Sequence, residues 1–146
     1  MNVERLKMWR DALIEADKKG RVFDITMWRR KVRPRGFSTC PAGDLAMYEP
    51  AQALGMRFER GTVCFGHHPT SQFGLGYGQG AICSFLEIER DDAHPSPDEI
   101  WVHDTINSTN AAGVYRDAIG GRMSAREVTR AMVLARIEAE IAEREW

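Results

Sequence analysis

Thiols and imidazoles are the groups in this chain best suited to covalent or metal chemistry, and the first to weigh is Cys40. It stands in Ser38-Thr39-Cys40-Pro41-Ala42-Gly43, where a small polar residue before a proline marks a helix start. A thiol at a helix N-terminus is drawn toward thiolate by the amides and dipole there, and His67, His68 or His103 could serve as its base. The plainer reading is a packed cysteine in a tight turn, with Pro41 removing one of the donors. Cys64, His67 and His68 form one C-x-x-H pair, half of the four-ligand set that structural zinc requires. Cys40 and Cys83 would have to complete it through the fold, and a buried Cys64 beside a surface His pair is the plainer alternative. The GLGYGQG run places Gly74, Gly76, Gly78 and Gly80 in strict alternation. It therefore misses both the GxxxxGK[ST] and the GxGxxG spacings of phosphate loops, and reads better as a place where two backbones approach closely.

The strongest charge feature follows Trp28: Arg29, Arg30, Lys31, Arg33 and Arg35 are basic, and no acid lies between Asp24 and Asp44. Such a run could contact phosphates while Trp28 stacks on a base. Pro34 and Gly36 point to a solvated loop as the competing interpretation. No convergent catalytic set and no cofactor motif emerges from these residues.

The elements that must position these groups read mostly as helices. Asn2 caps an amphipathic helix over 2–19 with Leu6, Trp9, Leu13 and Ala16 on one face, and Gly20 suits its left-handed end. Phe23, Ile25 and Trp28 have spacing that fits a short extended segment or one helical turn. Pro41 opens a short helix with Ala42, Leu45 and Ala46 inward, and Pro50 starts a second that stops near Gly55. MRFER and TVCFG fit a small hairpin around Arg60 and Gly61. Residues from Tyr77 to about Glu87 read as a helix, with a buried strand as the alternative, and Ser96 or Asp98 caps a helix carrying Ile100, Trp101 and Ile106. Ser124 with Glu127 makes a capping box for a long helix to Trp146. That helix has a small-residue face (Val128, Ala131, Ala135, Ala139, Ala142) and a bulky one (Val133, Leu134, Ile137, Ile141). One face serves the core. The other would seek a neighbouring helix or a second subunit, so Leu134, Ile137 and Ile141 are candidates for an interaction face and a homodimer contact.

At 146 residues the chain fits one domain, 1–146, and its 43% hydrophobic and 28% charged content is that of a folded protein. A net charge of -1 gives no global pull toward nucleic acid or anionic membrane. Three cysteines without short paired spacing argue for a reducing compartment. The charged N-terminus lacks a signal-peptide core, and no apolar run reaches the roughly 20 residues of a membrane span. A cytoplasmic protein without membrane contact is expected.

Phe23, Asp24 and Trp28, then Cys40, Ala42, Gly43 and Ala46, then Phe73, Gly74 and Leu75 before Ala81 to Leu86 spell F-[DN]-x-x-x-W, C-x-A-G-x-x-A and F/L-G-L. The chain resembles, over about half its length, a loosely defined group of small uncharacterised phage and bacterial proteins with that pattern. It departs from them where they carry a second Cys in a CGT-like turn and Gly36-Phe37-Ser38-Thr39 stands here. The resemblance implies a small helical domain encoded on a phage or mobile element, an accessory factor without enzymatic activity that binds a host or phage macromolecule.

The expected fold is thus mainly α: a single small helical domain with a glycine-rich irregular centre and room for a short β-hairpin. The expected function is non-enzymatic binding of a protein partner, with modulation of a host factor as one form it could take. Nucleic-acid or nucleotide binding through residues 29–35 is the first alternative, and a cysteine-dependent enzyme or zinc protein the second.

Overall fold

The helix signals in the sequence are strong because their caps are explicit. In the computed structural model, which describes residues 1–32, 36–66, 78–91, 93–107, 113–115 and 124–146, helix α1 (Val3–Lys18) starts where Asn2 accepts a hydrogen bond from the Arg5 amide at 3.1 Å. Beyond its end, Gly20 takes a φ of 68°, a conformation that costs glycine little. Pro41 begins α2 (Pro41–Ala46), Pro50 lies in the first turn of α3 (Glu49–Ala53), and α4 is Gln79–Phe85. Ser96 caps α5 (Pro97–Ile106) through the Glu99 amide at 3.2 Å. Residues 113–115 form a helical turn.

The expected single helix from Ser124 is divided. Its capping box is present, but it closes a 3-10 turn, Ala125–Glu127, and Val128 is extended. Thr129 then caps α6 (Arg130–Glu145) by accepting from the Met132 amide. Val128 is buried, so the break lets a hydrophobic side chain reach the core before the helix begins.

A mainly helical architecture is not what the chain adopts. Helix takes 56% of the described residues and strand 15%, in two small sheets, so the fold is mixed α and β. The first sheet has the order β1 (Val22–Phe23), β3 (Gly36–Thr39), β2 (Arg29–Val32), with β1 parallel and β2 antiparallel to β3. The second is the hairpin β4 (Met56–Glu59) and β5 (Thr62–Phe65). Arg60 and Gly61 join these strands with φ of 52° and 79°, the positive values that a two-residue hairpin turn matched to strand twist demands. The expected hairpin is therefore present, and the first sheet is the correction. Its strands were hidden because β1 is two residues long and β2 reads Arg-Arg-Lys-Val, without the alternation of a half-buried strand.

The buried apolar residues form one cluster, drawn from both helices and strands. Trp9 at its centre is fully buried, donates from Nε1 to the Pro41 carbonyl at 2.8 Å, and meets Trp101 edge-on at 6.3 Å. This tryptophan ties α1 to the start of α2 with a satisfied polar atom inside an apolar shell. Helices α1 and α6 pack along each other. Ile137 and Ile141 are buried in that cluster and Leu134 lies against it. The bulky face of α6, a candidate for partner contact, is thus covered within the chain, while Ala131, Ala135, Ala139 and Ala142 face outward. Bulky side chains remove more apolar area from water than alanines do, which decides the sense of rotation. No described helix is long and apolar enough to cross a membrane.

Candidate functional site

Everything near Cys40 depends on how β3 passes into α2. Cys40 is the N-cap residue, extended at φ -85° and ψ 178°, and its Sγ accepts from the Gly43 amide at 3.4 Å. Gly43 has no room for a side chain: a Cβ there would lie 1.9 Å from the Trp28 carbonyl oxygen and 3.1 Å from the Thr39 Cβ. The absence of that one carbon allows the Trp28 backbone to lie against α2. Trp28 is held at its other end too, since a Cβ on Gly78 would sit 3.4 Å from the indole Cζ2. The spacing of Trp28, Cys40 and Gly43 that stood out in the sequence therefore has a packing cause.

One turn further along α2 lies Asp44, fully buried. Arg130, the first residue of α6, grips it with two hydrogen bonds, Nε to Oδ2 at 2.7 Å and Nη2 to Oδ1 at 3.2 Å. The Thr39 hydroxyl donates a short hydrogen bond to Oδ1, and Arg21 Nη1 lies 3.3 Å from the same oxygen. Arg130 also donates to the Arg21 carbonyl at 2.7 Å and lies over the Phe23 ring at 5.3 Å. Burial pushes the Asp44 carboxyl above its ordinary value while Arg130 and Thr39 pull against it. The cluster is satisfied on every side, so it joins β1, β3, α2 and α6 and leaves little capacity for a ligand.

Beside this clamp a cavity of about 270 Å³ opens, lined by Ile25, Thr26, Met27, Trp28, Cys40, Gln79, His103, Ile106 and Asn107. Cys40 and His103, named from sequence as a thiol and a base, thus line one space. The thiol is not activated, however. Burial pushes the Cys40 thiol up to about 12, outweighing the stabilising amide of Gly43. The expectation of a depressed value at a helix start is overturned because desolvation of a fully enclosed sulfur exceeds what a six-residue helix offers a thiolate. His67 and His68, the other candidate bases, lie outside the described residues. Cys83 is likewise pushed up to about 11 by burial, and Cys64 is raised.

Gln79 and Asn107 went unremarked in the sequence. The signal was available in part: Asn107 follows His103 by four residues, which places both on one side of α5. Gln79 could not be found that way, because only the fold brings the first residue of α4 to the end of α5.

The remaining sequence candidates are dispersed. Cys64 is buried in β5, where its thiol donates to the Thr62 carbonyl at 3.6 Å. His67 and His68 lie outside the described residues, and among those described no group of three metal-ligating side chains assembles. Trp28 and the basic residues after it do not form one arm: Trp28 lines the cavity, and Arg29, Arg30 and Lys31 enter β2. Residues 29–32 are therefore regular sheet, which corrects the reading of that part as a solvated loop. Arg33 and Arg35 lie outside the described residues.

Within β2, Arg29 and Lys31 share one face and Arg30 takes the other. The Arg29 guanidinium lies over the rings of Phe37 at 4.7 Å and Phe58 at 4.3 Å. It borders an open groove of about 700 Å³ whose walls include Gln52, Arg57, Phe58 and Glu59. A ring contact of this kind does not use the guanidinium N–H donors, which can still meet a planar acceptor. Among the described residues no carboxylate pairs with Arg29, Arg30 or Lys31, whereas Arg57 is bonded to the Gly55 and Gly66 carbonyls and to Glu59. Comparison of the chain with protein-family models, with curated proteins and with solved structures found no match.

Proposed function

We propose that this is a non-enzymatic binding protein that acts by protein–protein contact and takes an acidic segment of its partner along the Arg29 and Lys31 face of the small sheet. The observation that carries this reading is Arg29 itself, over the Phe37 and Phe58 rings at the edge of a groove and with no carboxylate partner among the described residues. β2 is paired on one side only among the described strands, so an extended peptide can add to its outer edge. A carboxylate on that peptide would meet a pre-oriented guanidinium, with little side-chain entropy left to lose. Two cations on one face suit a short acidic segment better than a long polyanion, whose binding draws on many phosphate contacts. The three unpaired thiols are in keeping with a cytoplasmic location, and the resemblance through Phe23, Trp28 and Cys40 to Ala46 with an accessory role.

The test is fluorescence anisotropy with a labelled extended peptide rich in Glu and Asp, and with single-stranded DNA of matched length. Saturable peptide binding is expected, weakened at least tenfold by Arg29→Gln and by Lys31→Glu together with a fall as salt rises. Arg29→Lys keeps the charge and loses the planar fork, so it separates a Coulombic contribution from the stacked geometry. Tight DNA binding with a steep salt slope, and none of the peptide, would transfer the face to nucleic acid and sink the reading.

A further inference from the structure

The cavity beside α2 has a chemistry distinct from that of the basic sheet, and we infer that it is a binding site for a small, uncharged planar heterocycle with an amide-like edge, of the class of a nucleobase or nicotinamide. Its walls carry polar groups that both donate and accept, Thr26, Gln79, His103 and Asn107, set against the indole of Trp28 and the apolar Ile106. Among the described residues no Lys, Arg, Asp or Glu lines it, so an anion or a cation would lose its hydration against these walls without gaining a counter-charge from them. The exposed wall is slightly more polar than apolar, a balance that suits a ring with apolar faces and a polar edge.

Two further observations point the same way. The Gln79 amide and the Trp28 indole N–H have no hydrogen-bond partner among the described residues, so each has capacity to spare. An amide-like edge supplies a neighbouring donor and acceptor, which is the complement of a glutamine side chain. Trp28 is fixed from both sides, its carbonyl against Gly43 and its ring against Gly78. A stacking surface held in this way costs little entropy when a ring settles on it. At about 270 Å³ the space suits a single ring system, below the roughly 300–1,000 Å³ typical of drug-sized ligands. The Cys40 thiol is protonated at neutral pH and contributes a soft wall, so the site binds without forming a bond to sulfur.

The experiment is a titration of the uniformly 15N-labelled full chain, followed by backbone and side-chain amide shifts, with adenine, cytosine and nicotinamide. Benzoate serves as a planar anion of similar size. At least one neutral probe should give saturable shifts at Thr26, the Trp28 indole, Gln79 and Asn107, with Kd at or below about 1 mM, while benzoate gives none. Gln79→Ala should weaken that probe at least fivefold. Gln79 is partly exposed and bonded to nothing described, so the variant should keep the Tm of the parent, and an unchanged Tm is required for the comparison. Gln79→Glu should abolish binding by placing a charge on the wall. The absence of saturable shifts with all three neutral probes would overturn the inference. So would equal binding of benzoate, or an affinity indifferent to both Gln79 substitutions.

Discussion

Gly43→Ala should be among the most damaging single-carbon additions this chain can suffer, although alanine is the better helix former. In an unconstrained helix the exchange would stabilise by about 0.5–1 kcal/mol, because glycine loses more backbone freedom on folding. Here the added Cβ would meet the Trp28 carbonyl oxygen at 1.9 Å and the Thr39 Cβ at 3.1 Å. Oxygen and carbon need more than 3 Å, so main chain must move by over an ångström at a point where nothing is flexible. The neighbours that would have to yield are themselves tied, with Thr39 bonded to Asp44 and Pro41 to Trp9. Overpacking of a close-packed interior costs about 1–3 kcal/mol, and more where backbone must shift. A net destabilisation of about 2 kcal/mol or more remains after the helix gain is subtracted, equivalent to roughly 4–8 °C in Tm for a chain of this length. Urea unfolding followed by circular dichroism measures it as a lower midpoint at unchanged m. Gly113→Ala is the control, since a Cβ there meets nothing within 4 Å, and it should be neutral or slightly stabilising. An unaltered midpoint for Gly43→Ala would refute the packing argument.

Arg130→Met should cost about 3 kcal/mol, because it removes the cation that holds the buried Asp44 carboxylate by two hydrogen bonds and leaves Arg21 as its one remaining described cation; unfolding curves of Arg130→Met against Arg130→Met with Asp44→Asn should show part of that loss restored in the double variant. Native protein at pH 8 should react with a thiol-specific chromogenic disulfide at none of its three cysteines, all of them buried, and at all three in denaturant. Stability should also decline above pH 9: the folded chain holds the Cys40 proton to about 12, whereas the unfolded thiol releases it near its ordinary 9.0. The contribution is therefore whole below about pH 9 and is lost at up to about 1.4 kcal/mol per pH unit as pH rises toward 12. A Cys40→Ala variant should show a shallower alkaline decline in thermal melts.

The helices could be read from the chain because each carries a local signal, such as Asn2 before α1, Pro41 at α2 and Ser96 before α5. Strands β1 and β2 carry none. The partners of β2 are Phe37 across the ladder and Phe58 in the other sheet, and no spacing along Arg29 to Val32 records that two rings will meet the first arginine. Cys40 and His103, singled out in the sequence as a thiol and a base, line one cavity. The state of the thiol depends on what surrounds it, and burial is a property of the whole fold. For the same reason Ile137 and Ile141 looked available in the sequence: a helix with two apolar sides does not reveal which one α1 covers. Gln79 and Asp44 illustrate the remaining gap, since each owes its role to an element distant in sequence.

The pairing of Asp44 with Arg130 spans 86 positions of chain, and it bears on the order in which the molecule can come together. Helix α1, the β1–β3 pairing and α2 are close in sequence and can meet early, yet the carboxylate that α2 brings would then have Arg21 as its single described cation, with Oδ2 still turned to water. Docking of α6 supplies the second cation, the one that engages both carboxylate oxygens, and the apolar side of α1's groove in a single event. A part-formed core lacking α6 should therefore remain hydrated around Asp44, with its final consolidation waiting on a long-range loop closure. That makes the joining of the two long helices the step at which cooperativity enters, and a fragment ending before Arg130 should populate an expanded, water-penetrated state rather than a smaller native fold.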